Sequence, residues 1–61
     1  MTFGELKRLL KKHGCRFEQE GKRHEMWYSP ITGKRFPVGR HNSHEVFSGT
    51  CKEILKQAGI K

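Results

Sequence analysis

Histidine is the side chain best matched to moving protons near neutral pH, and this chain carries four: His13, His24, His41 and His44. His24 stands apart because Lys22 and Arg23 immediately precede it and Gly21 opens the quartet, in the stretch GKRHEMWYSP. Cleavage of RNA by its own 2′-OH needs a base for that proton, an acid for the leaving 5′-oxygen and cations for the phosphorane charge. His24 fits the first or second role, and Lys22 and Arg23 fit the third. The same residues also fit a surface histidine that ends a strand and does nothing.

The other histidines read differently. His13 falls at the end of a helical pattern, where a partly charged imidazole complements the helix dipole, and is read as structural. His41 and His44 form an H-x-x-H spacing that invites a metal reading, with Cys15, Cys51 or His24 as further ligands. Common zinc sites bring paired cysteines or helical histidines four apart, and neither occurs here, so no metal and no cofactor is expected. Phosphate contact by Arg40 and His41, joined by Lys34 and Arg35, is the preferred use. Trp27, Tyr28 and Phe36 are candidate platforms for bases. Tyr28 shares a strand face with Met26 and is expected under a helix, whereas Trp27, on the opposite face, is a candidate contact for RNA or a protein partner, and with Phe47 the candidate apolar centre of an acidic protein partner's interface.

Charge supports a polyanionic counterpart. Thirteen Lys and Arg against six Asp and Glu leave a formal +7 on 61 residues, a field that attracts nucleic acid or an acidic protein. Solubility alone is the competing use of such a surplus. A chain of this length forms one domain, residues 1–61, with a core so small that a partner is expected to support it. No apolar run approaches the ~20 residues of a spanning helix, and residues 1–14 lack the apolar segment of a signal peptide. Two cysteines without a C-x-x-C pair read as buried free thiols in a reducing cytoplasm.

The elements that must position these residues follow from period and punctuation. Thr2 and Glu5 have capping-box spacing. Phe3, Leu6, Leu10 and His13 then share a helical stripe widened by Leu9, with Lys7, Arg8, Lys11 and Lys12 toward solvent and Gly14 as the stop. Residues 15–20 alternate as a half-buried strand, with Cys15, Phe17 and Gln19 on one face. A second strand spans residues 24–29, and SPITGK is a turn set by Pro30 and Gly33. A third strand spans residues 34–38 and is placed at a sheet edge by Pro37, which cannot donate a ladder hydrogen bond. Residues 39–49 read as loop. Cys51, Ile54, Leu55 and Ala58 mark a second helix, capped by Ser48 or Thr50 and stopped at Gly59. The order α-β-β-β-α predicts an α+β fold with a three-stranded antiparallel sheet, both helices on one face and the other face open.

With these residues in view, the chain resembles the HicA, or YcfA-like, family of toxin ribonucleases. The resemblance rests on the opening helix ending KKHG, then GKRH, SPITGKRFPVGRH and GTCKEILKQAGI. It implies a double-stranded-RNA-binding-domain-like fold, and metal-independent endonucleolytic cleavage of mRNA by His24 with arrest of translation. It also implies a cytoplasmic bacterial or archaeal setting and neutralisation by a HicB-like antitoxin protein covering that histidine. Arg23 stands where the family commonly has serine, Cys15 where an aromatic often stands, and Gly39 where proline often precedes RH. A module that holds structured RNA without cutting it is the alternative, and a domain that binds only protein is a third.

Overall fold

The first helix, α1 (Phe3–Lys12), starts on a complete capping box: Thr2 Oγ1 accepts from the Glu5 N–H at 3.2 Å, and Glu5 Oε1 accepts from the Thr2 N–H at 2.8 Å. In this computed structural model, which describes residues 1–60, the chain then forms β1 (Arg16–Glu20), β2 (His24–Ser29), β3 (Lys34–Gly39) and α2 (Ser48–Ala58). The strands make one antiparallel sheet in the order β1-β2-β3. Pro37 accordingly lies on an edge strand, where its missing N–H costs no central ladder bond.

Alternation along the strands chooses the covered face. Phe36 and Val38 are buried while Arg35 and Pro37 are exposed, and the register sets Phe17, Trp27 and Phe36 side by side across the sheet. Leu6 and Leu10 of α1 and Ile54 and Ala58 of α2 close over Trp27 and Phe36 in a single apolar cluster, which leaves Phe17 half-exposed at its margin. The α+β order and the open sheet are therefore as expected. No helix among the described residues is long and apolar enough to cross a membrane.

The face assignment within β2 is reversed. Trp27, expected to point outward as a contact residue, is 2% exposed and belongs to the core, so it is not a docking residue; Tyr28 instead lies on the open face. The reason is that both polar neighbours of Trp27 find partners on the helix side. Ser29 Oγ donates to the Ala58 carbonyl at 2.6 Å, tying β2 to the end of α2. Glu25 accepts from Trp27 Nε1 at 3.0 Å and pairs with Lys7 Nζ at 3.0 Å. With those polar groups satisfied, the indole takes the interior and His24, Met26 and Tyr28 take the open face.

Lys7, expected toward solvent, is instead 7% exposed, and its ammonium also donates to Asn42 Oδ1 at 2.6 Å. Two smaller differences concern element ends. Residues of β1 are exposed throughout, because β1 is an edge strand that the helices hardly cover, and its pairing slips between Phe17 and Gln19 at a bulge. The N-cap of α2 is Phe47, and neither Ser48 nor Thr50 caps it through a side chain. Cys15 is buried and Cys51 half-buried, both as free thiols.

Burial of Glu25 favours the neutral acid, but hydrogen bonds from Lys7 and Trp27 and the charges of Lys7 and Lys11 outweigh it, and the carboxyl is held below its ordinary 4.5. A depressed folded-state value contributes stability that is fully present above pH 4.5 and is lost as pH falls through the lowered value. Urea midpoints between pH 7 and pH 3 should thus fall in the acid range. Glu25→Gln should be less stable than the parent at neutral pH and lose less on acidification. Parallel curves for the two proteins would refute this.

Candidate functional site at the hairpin of β1 and β2

Gly21 and His24 close a two-residue turn whose central residues are Lys22 and Arg23, with the Gly21 N–H donating to the His24 carbonyl at 2.7 Å. A Cβ on Gly21 would lie 2.7 Å from that same backbone oxygen, nearer than side-chain carbons approach. Glycine three residues before the histidine is therefore a steric requirement of this closure. Gly21→Ala should distort the turn and displace His24, lowering activity at least tenfold while costing about 1–3 kcal/mol of stability. Activity and melting temperature both unchanged would contradict it.

His24 itself is exposed and, by strand alternation, faces the open side of the sheet with Met26 and Tyr28. Its cross-strand partner is Gly39, so the two residues that follow, Arg40 and His41, leave β3 beside it. Lys22, Arg23, Arg40 and His41, remote in sequence, thus gather at one end of the sheet, and all are exposed. Gly39 has a packing role here: a Cβ on it would meet the Phe3 ring at 2.8–3.0 Å, so its bareness lets the start of α1 sit against the strand end.

Lys34 and Arg35 are not brought to this cluster. They pair with Ser29 and Tyr28 at the far end of β2, roughly 13–17 Å away at ~3.4 Å per residue. Arg35 is also engaged there, in an ion pair with Glu18 and with its guanidinium 5.6 Å from the Tyr28 ring centre, while Arg16 stands 4.9 Å from the same ring. His41 and His44 stack with ring centres 4.9 Å apart on the exposed loop. Among the described residues, no group of three or more His, Cys, Asp or Glu could hold a metal ion. Phe47 is 83% exposed. His13 is the C-cap of α1.

Beneath the hairpin lies a polar frame that sequence reasoning missed. Glu25, the residue after His24, is fixed from the helix side by Lys7 and Trp27, and Lys7 reaches on to Asn42 in the loop that follows Arg40 and His41. One signal for Lys7 was available: it stands four residues after Phe3 and three before Leu10, on the apolar stripe itself. Nothing in the sequence marks Asn42.

Lys22, Arg23 and Arg40 are groups suited to an anion and His24 to proton transfer, and the register brings all four to the same end of the sheet, exposed. A family model described as the HicA toxin of bacterial toxin–antitoxin matches residues 3–60. No curated protein and no solved structure gives a match.

Proposed function

Because the chain belongs to the HicA toxin family of bacterial toxin–antitoxin systems, we propose that it is a toxin ribonuclease that cleaves mRNA with His24 as its proton-transfer group and so arrests translation. The observation that carries the reading is the position of His24: exposed, at the closing pair of the hairpin, opposite Gly39 and among Lys22, Arg23, Arg40 and His41.

In the proposed reaction the ribose 2′-oxygen attacks the adjacent phosphorus. His24 takes the 2′-OH proton or supplies one to the departing 5′-oxygen. The O2′–P bond forms as the P–O5′ bond breaks, leaving a 2′,3′-cyclic phosphate on one fragment and a 5′-hydroxyl on the other. Lys22, Arg23 and Arg40 offset the charge that develops on the phosphorane oxygens, with His41 as a further phosphate contact. His24 carries one of the two proton transfers and water the other, and no metal or other cofactor has a part. Lys34 and Arg35 stand apart from the scissile phosphate and would meet only RNA that extends toward the far end of β2.

A HicB-like antitoxin completes the reading as the partner that masks His24. Charge complementarity with the +7 surface would speed capture, and the exposed Phe47 would supply apolar contact. Trp27, being buried, has no part in that contact.

The test is cleavage of a transcript in excess EDTA, followed by analysis of the ends. Fragments carrying 2′,3′-cyclic phosphate and 5′-hydroxyl are expected. Cleavage that stops with the chelator, or 5′-phosphate ends, would reject the mechanism. Intact RNA, bound in a salt-dependent way, would assign a binding module instead.

A further inference from the structure

The cations of α1 form a concavity that the cleavage site does not use. Lys7, Arg8 and Lys11 line a groove of about 490 Å³ whose opposite wall is Asn42 and Ser43. A second hollow shares Lys7, Lys11 and Asn42 with it and is floored by Glu25 and Trp27. Lys7 is 7% exposed, and two of its three ammonium protons are accounted for, by Glu25 at 3.0 Å and Asn42 at 2.6 Å, which leaves one donor at the groove. Arg8 and Lys11 are exposed. Glu5 also lines the groove and Glu25 faces it from the second hollow, so three cations stand against two carboxylates, a surplus of one positive charge. The groove therefore presents net positive charge.

Its position relative to His24 is fixed by the backbone. Gly39 pairs with His24, and Asn42 lies three residues further along, at most about 11 Å of chain. Asn42 is held against α1, its carbonyl accepting from the Gly4 N–H at 3.0 Å. Residues 39–43 thus lead from the His24 side of the sheet round its end to the helix.

We propose that this groove is a second phosphate subsite, in which Arg8 and Lys11, backed by Lys7, hold the phosphodiester backbone of the same RNA a few nucleotides from the bond presented to His24. The inference rests on the RNA-cleaving reading above and extends it: recognition by sequence-independent phosphate contact on α1, separate from the residues around the scissile phosphate.

The experiment measures binding of a 30-nucleotide RNA at several salt concentrations, in a His24→Ala background to prevent cutting, with and without Arg8→Gln and Lys11→Gln together. Each lost phosphate contact should reduce the salt slope by about one and weaken binding on the order of fivefold near 0.15 M salt, so roughly 25-fold for the pair. Both side chains are exposed, and a thermal melt unchanged from the parent is expected. Equal affinity and equal slope in the paired variant, while the unsubstituted chain still binds and cuts RNA, would overturn the groove alone. Absence of RNA binding by the unsubstituted chain would overturn it together with the proposed function. If the paired variant lost only binding of an acidic protein and kept full RNA affinity, the groove would belong to that partner and the proposal would fall.

Discussion

His24→Ala should reduce RNA cleavage by about 10²–10⁴-fold, the usual contribution of one positioned general acid or base, and should abolish growth arrest on expression. The fold should survive, because the ring is exposed and does not belong to the buried apolar cluster. RNA affinity should survive as well, since the surrounding cations stay in place. Initial cleavage rates, a thermal melt and a binding isotherm on the same preparation separate the three effects. Cleavage within twofold of the parent would remove His24 from the mechanism. His41→Ala, acting on a phosphate contact and not on proton transfer, should change the rate far less.

The second large effect concerns stability. Trp27 is among the largest fully buried side chains and sits between Phe17 and Phe36 in the sheet, its ring meeting Phe17 edge-on at 6.4 Å. Trp27→Ala leaves a cavity there, typically costing about 3–5 kcal/mol, and also removes the indole donor to Glu25 at 3.0 Å. In a domain this small that loss is comparable to the ~5 kcal/mol at the low end of natural stabilities. The variant should be largely unfolded at 37 °C, seen as loss of near-ultraviolet circular dichroism. Phe47→Ala supplies the contrast: at 83% exposed it should leave stability within about 0.5 kcal/mol while weakening association with the partner. A Trp27→Ala protein that melts with the parent would contradict the core described above.

Much of the architecture could be read along the chain. The Thr2 and Glu5 pair specified the start of α1 through contacts three residues apart, and Gly59, at φ 79°, ended α2 as its position suggested. Pro37 placed β3 at an edge because a missing N–H is a local property. The candidate site was legible in part for the same reason: Gly21, Lys22, Arg23 and His24 are contiguous, and a two-residue turn keeps them together.

The errors fell where local information is degenerate. Period two separates His24, Met26 and Tyr28 from Glu25, Trp27 and Ser29, but each set mixes polar and apolar members, so the pattern alone does not say which set is covered. Lys7 of α1 and the Ala58 carbonyl of α2 settle it by satisfying Glu25 and Ser29, and both partners are remote in sequence. The reversal exchanged Trp27 for Tyr28 on the open face.

What the residues alone determined is therefore the set of elements, their order and the hairpin that carries the imidazole, all consequences of neighbours within a few positions. What only the tertiary structure decided is which face of β2 is covered, the burial of Lys7, the gathering of Arg40 and His41 beside His24, and the separation of Lys34 and Arg35 from them. Those depend on strand register and on pairing of buried polar groups across the fold, and such pairings leave no mark in the periodicity of any one segment.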